Sequence, residues 1–83
     1  MILDWTNPLH VFSSSGTWTA TEDCFIVGQV RTNNARVAIN NHVIASADTG
    51  SNSWNRPFIA PTGVKQGDVI EAGDFVYALK VVQ

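Results

Sequence analysis

The feature that most limits the fold of this 83-residue chain is its division into short apolar runs separated by polar turn segments. The runs are rich in β-branched and aromatic residues that alternate with polar ones, and turn residues recur about every 8–12 positions. No stretch combines apolar residues at helical spacing with a capping residue. The sequence therefore predicts an all-β fold built from about eight short strands, in a compact sandwich.

The order of the strands in the sheets can be predicted in part. The segment 24–32 begins with a continuous apolar run, which indicates a central strand covered on both faces. The last segment, 75–82, is predicted to be central as well. The segment 54–61 contains two prolines, and because proline cannot donate to a β-ladder, we expect this strand at a sheet edge.

Two Asn-Asn pairs are candidate turns. Asn40-Asn41 separates two apolar runs, and since asparagine tolerates positive φ, the pair predicts a two-residue type I′ hairpin. Asn33-Asn34 is a further hairpin candidate, leading from the segment 24–32 into residues 35–39.

Length and composition point to one domain that spans residues 1–83. Cys24 is the single cysteine, so neither an intrachain disulfide nor a Cys-based zinc site can form within the chain. Hydrophobic residues make up 45%, with three Trp, which exceeds the need of a core this small and indicates a homo-oligomer. Residues 1–8 are too short to fold alone and should dock on the sandwich or on a neighbouring subunit.

Charge and hydropathy exclude several classes of partner. The net charge is −2 and the five cationic residues are scattered, so we expect no binding to nucleic acid. The uncharged runs are too polar to cross a bilayer, so no membrane insertion is expected. Residues 1–5 lack the features of a secretion signal, which predicts a protein made in the cytoplasm without a signal peptide.

The order of several segments resembles a known group of domains. A Gly-Thr-Trp-Thr strand with an acidic turn (residues 16–23) precedes an apolar strand, the Asn-Asn hairpin (37–43) and a Val-Lys-Gln-Gly-Asp-Val-Ile segment (64–70). This order, over residues 15–82, resembles the small jelly-roll-like Greek-key β-sandwiches of bacteriophage tail-fibre and tail-tip proteins, which are similar to the trimeric heads of the tumour-necrosis-factor and C1q type. The sequence departs from that pattern at Cys24, where a small residue such as glycine is common, and it has no stalk.

The resemblance implies a non-catalytic, receptor-binding domain that forms a homotrimer, with trimer the favoured state, and that binds a glycan or a protein of the host surface. It implies a place in the virion tail. The alternatives are a structural virion protein, such as a decoration or tail-assembly component bound to other virion proteins, or a bacterial lectin or adhesin module.

One cluster combines the side chains that bind sugars. A tryptophan ring can stack on the apolar face of a sugar, while amides and a guanidinium bond its hydroxyls. The cluster consists of Asn52, Trp54, Asn55 and Arg56. Trp54 and Arg56 are also residue types enriched at subunit contacts, so a place in an interface or in the core remains open for Trp54.

No catalytic, metal or cofactor site is predicted. The common nucleophile, zinc-protease and phosphate-loop motifs are missing from the sequence. His10 and His42 lie on different predicted strands without converging carboxylates. Cys24 should be a small buried apolar residue, and Trp18 a core residue.

Overall fold

The computed structural model describes residues 1–12, 16–31, 36–47, 57–73 and 75–82. Within these ranges the chain forms eight β-strands. They are β1 (His10–Phe12), β2 (Gly16–Thr19), β3 (Cys24–Gln29), β4 (Arg36–Ile39), β5 (His42–Ser46), β6 (Phe58–Val64), β7 (Val69–Ala72) and β8 (Val76–Leu79). A helix able to cross a membrane is not found among the described residues.

The strands form two four-stranded antiparallel sheets, with the orders β1-β8-β3-β6 and β2-β7-β4-β5. Successive strands repeatedly change sheet, and each sheet takes two strands from each half of the chain, which is the jelly-roll arrangement of two Greek keys. The predicted all-β jelly-roll-like sandwich is therefore confirmed. β3 and β8 are interior strands and β6 is an edge strand, as the sequence predicted.

The proline in β6 coincides with an irregularity in its pairing. Ile26 of β3 lies opposite Thr62, whereas Gly28 lies opposite Ile59, so β6 has one extra residue between these two pairs. Pro61 falls in this bulge, where a missing N–H removes no regular ladder bond.

The Asn40-Asn41 hairpin is confirmed. Asn40 and Asn41 have φ values of 50° and 69°, and Ile39 pairs directly with His42 across the turn. The hairpin predicted at Asn33-Asn34 is wrong, because β3 and β4 belong to different sheets and do not pair. Asn33 and Asn34 themselves lie outside the described residues.

The core lies between the inner faces of the two sheets. Its largest fully buried side chains include Ile26 and Val76 from one sheet and Val37 and Ile70 from the other. Each contributes about 1.5–3 kcal/mol through the removal of its apolar surface from water. Trp18 is partly buried and packs against this core, so the prediction of a core role is correct in part.

A polar network joins the β4–β5 hairpin to the turn before β7. The Asn40 side-chain amide donates to Asp68 Oδ1 (3.1 Å), and the Val69 N–H donates to Asn40 Oδ1 (2.9 Å). The Lys65 N–H donates to Asp68 Oδ2 (2.9 Å). These donors, the Lys65 N–H first and the Asn40 amide second, hold the pKa of Asp68 below its ordinary value of 3.8.

The lowered pKa of Asp68 predicts a loss of stability in acid. A carboxylate whose pKa is lower in the folded state stabilises the fold above its unfolded pKa, and this stabilisation disappears as the pH falls through the folded pKa. We expect urea denaturation to give a smaller free energy of unfolding at pH 3 than at pH 6, and Asp68→Asn to reduce this difference. Glu22→Gln, which removes an exposed carboxylate outside the network, is the control. Equal pH dependence in Asp68→Asn and wild type would contradict the assignment.

Alanine substitutions at Gly28 and Gly63 should differ strongly in their effect on stability. Gly28 has a φ of 151°, and a Cβ placed there would lie 2.0 Å from the carbonyl oxygen of Phe75. Gly28→Ala should therefore lower the free energy of unfolding by about 2–4 kcal/mol, since it adds both backbone strain and a clash with main chain. At Gly63 the nearest atom to an added Cβ is Phe25 Cε2 at 3.6 Å, an ordinary contact. Gly63→Ala should change stability by less than about 1 kcal/mol in the same denaturation assay.

Candidate binding surface

The outer faces of the two sheets differ in polarity. One row across the β2-β7-β4-β5 sheet joins Thr17, Glu71, Ala38 and Val43, in which Ala38 is buried and Thr17 and Val43 are exposed. Glu71 also accepts a hydrogen bond from Arg36 Nε at 3.0 Å, with both side chains about half exposed. This face has the charged and hydroxyl groups expected of a surface in contact with water.

The outer face of the β1-β8-β3-β6 sheet has no charge in its two central rows. One row consists of Val11, Tyr77 and Val27, and the other of Leu79, Phe25 and Gly63. We call these six residues the apolar face. Val11, on the edge strand β1, is 48% exposed, while Leu79 is fully buried although it lies outside the main core cluster.

The N-terminal segment pairs with the chain just after β8 and places Trp5 against the apolar face. The Asp4 N–H donates to the Lys80 carbonyl and the Val82 N–H to the Ile2 carbonyl, each at 2.9 Å, which extends the pairing of β8 beyond β1. The Trp5 ring contacts Tyr77 edge to face, with 5.6 Å between ring centroids, and remains 56% exposed. Trp5 thus adds an exposed apolar group next to Tyr77.

A cleft opens at the end of the apolar face where β3 begins and β6 and β8 end. Its volume is about 500 Å³. Its lining consists of Glu22, Asp23, Cys24, Phe25, Gly63, Val64, Lys65, Lys80 and Val81. We call this the end cleft. Asp23 Oδ1 accepts a hydrogen bond from the Gln66 N–H at 2.8 Å, so this carboxylate is held in place at the cleft wall.

Cys24 lines the end cleft but is not placed to act as a nucleophile. The residue is 3% exposed. Burial raises the pKa of its thiol, and the nearby carboxylates of Glu22, Asp23 and Asp68 raise it further. The thiol therefore stays protonated near neutral pH, in line with the predicted role of a small buried apolar residue.

A second group of exposed aromatic residues lies at the other end of the same sheet. Phe58 at the start of β6 is 80% exposed, and Phe75 before β8 is 46% exposed. Phe75 has a φ of 66°, which is rare for an aromatic residue, and the Arg31 guanidinium carbon lies 4.8 Å from the centre of its ring. The sequence pattern did not predict this pair, because Arg31 follows β3 and Phe75 precedes β8, far apart in the sequence.

The predicted sugar-binding residues Asn52, Trp54, Asn55 and Arg56 lie outside the described residues. The described chain resumes at Pro57, whose carbonyl accepts from the Val30 N–H at 3.0 Å. The predicted site thus stays a prediction, and the apolar face and end cleft are features that it did not include.

The two histidines occupy separate environments. The His10 ring stacks on Trp18, with centroids 5.2 Å apart and planes 7° from parallel, whereas His42 is exposed after the Asn40-Asn41 turn. Over the described part of the chain, no group of three His, Cys, Asp or Glu residues is close enough to hold a metal ion.

The chain matches no protein-family model, and no curated protein and no solved structure is detectably similar to it.

Proposed function

We propose that this protein is a non-catalytic binding domain of the phage tail-fibre or receptor-binding type, which acts as a homotrimer in the virion tail and recognises a glycan or protein of the host surface. The observation that carries the proposal is the apolar face. An uncharged sheet surface with Val11 and Trp5 about half exposed has the character of a protein interface rather than of a surface that faces water.

The size of the domain supports assembly with other copies. A chain of 83 residues without a disulfide has a small core, and burial of the Val11, Tyr77 and Val27 row of the apolar face against a second copy would add to its stability while leaving the end cleft open. A heterologous contact that closes after three copies forms a ring with cyclic symmetry. The choice of three copies rests on the resemblance to trimeric jelly-roll heads.

Recognition of the host is assigned to Asn52, Trp54, Asn55 and Arg56. A tryptophan ring, two amides and a guanidinium supply one stacking surface and several hydrogen-bond donors, which suit a shallow sugar site. Such a site binds weakly alone, and three copies in one trimer multiply the affinity through effective concentration.

A second candidate uses the same apolar face differently. A decoration or tail-assembly protein would bury this face against a different virion protein, and would have no use for a sugar site. The two candidates differ in what covers Val11, so the oligomeric state of the isolated protein distinguishes them.

The trimer predicts unequal effects for two similar valines. Val11 on β1 and Val43 on β5 are exposed valines (48% and 51%) on edge strands of the two sheets. Val11→Glu places a charge on the apolar face and should convert a trimer into a monomer, as measured by size-exclusion chromatography with light scattering. Val43→Glu, on the charged outer face, should leave the trimer unchanged. A monomeric wild type would contradict the trimer and favour the structural virion protein.

The sugar site predicts that binding and assembly can be separated. Trp54→Ala should abolish binding on a glycan array or to host cells, because it removes the stacking surface, while light scattering still gives a trimer. Loss of the trimer in Trp54→Ala would instead place this residue in the subunit interface.

A further inference from the structure

The end cleft has opposite charges on its walls that do not pair with each other. Glu22, Asp23, Lys65 and Lys80 all line it. Among the described residues, the one ion pair within 4.0 Å is Arg36–Glu71 on the opposite sheet. Both lysines and both carboxylates of the cleft are exposed, so they can bind groups of a ligand.

The floor of the cleft is an aromatic ring beside a residue without a side chain. Phe25 and Gly63 lie opposite each other on β3 and β6, and a Cβ on Gly63 would lie 3.6 Å from Phe25 Cε2. The glycine therefore leaves the edge of the Phe25 ring open to the cleft. The volume of about 500 Å³ falls in the range of small-molecule sites, about 300–1,000 Å³.

We propose that the end cleft binds one residue of an acidic saccharide, such as a hexuronic acid. The sugar carboxylate would lie beside the ammonium groups of Lys65 and Lys80, and the apolar face of the sugar ring would pack on Phe25. The sugar hydroxyls would donate hydrogen bonds to Glu22 and Asp23, which accept but cannot donate when ionised.

Other small ligands satisfy only part of this surface. A neutral sugar gives the two lysines no charge to bind, and inorganic phosphate can bind the lysines but has no apolar face to pack on the Phe25 ring. The choice of a saccharide over an acidic peptide rests on the proposed function. The site is separate in sequence from Asn52–Arg56 and would be a second sugar contact.

The test is a titration of ¹⁵N-labelled protein followed by NMR chemical shifts. We expect sodium glucuronate to shift the amide signals of residues that line the cleft, Gly63, Lys65 and Lys80 among them, with saturable binding that weakens as salt is added. Glucose and inorganic phosphate at the same concentrations should give smaller shifts there.

Two variants and one control test the assigned contacts. Lys80→Gln should weaken glucuronate binding about fivefold, the effect of one exposed charge pair. Gly63→Val should abolish binding because its side chain covers the Phe25 ring edge, and the NMR spectrum of each variant reports directly whether it is folded. Gly63→Ala is the variant to use if Gly63→Val unfolds, and it should weaken binding. Arg36→Gln, which removes a cation from the other sheet, should leave the affinity unchanged.

Three results would overturn the proposal: equal shifts with glucose and glucuronate, glucuronate shifts that map away from the cleft, or tighter binding of an acetylated Phe-Glu dipeptide amide than of glucuronate. The outcome is independent of the test of the proposed function. Trp54→Ala should bind glucuronate like wild type, so loss of host binding in that variant and failure of the cleft are distinguishable.

Discussion

Contact between the inner faces of two small sheets is the interaction on which the rest of the molecule depends. Each strand has two faces, and a two-layer sandwich buries one of them in its core. Val37 and Ile70 from one sheet meet Ile26 and Val76 from the other in that core. β3 is apolar on both faces, so the side chains that do not enter the core lie on the outer face of the sheet. Phe25 and Val27 therefore form part of the apolar face.

Close packing between β3 and the turn before β8 fixes the pairing of the two interior strands of one sheet. Gly28 has no side chain, so the carbonyl oxygen of Phe75 can lie where a Cβ would otherwise be. The Gln29 N–H donates to the same carbonyl at 3.0 Å. Phe75 adopts its left-handed conformation at this point. The two interior strands are thereby held in the register that places Val27 opposite Tyr77 and Phe25 opposite Leu79.

Local sequence predicted the features that depend on one or two residues. Asn40-Asn41 forms a hairpin because both residues tolerate positive φ. Pro61 favours an edge position for β6 because proline lacks an N–H. Asn33-Asn34 has the same local chemistry, but the strands on either side of it pair with different partners. Contacts between strands distant in sequence decide which sheet a strand joins. β3 pairs with β6 and β8, and β4 pairs with β7. The local sequence of an Asn-Asn pair does not predict these pairings. The end cleft was not predictable for the same reason, since its lysines and carboxylates come from the ends of three strands.

The pairing of Leu3 with Val81 has a mechanical consequence. The two ends of the described chain run antiparallel and leave the domain side by side, so a force that separates them loads the hydrogen bonds between them one after another, as in a zipper. If the domain is attached through one end only, no force separates its two ends, so the hydrogen bonds between them stay closed. If both ends were pulled apart, the N-terminal segment would peel from β8 first, and Trp5 would leave Tyr77 before the core between the sheets was strained.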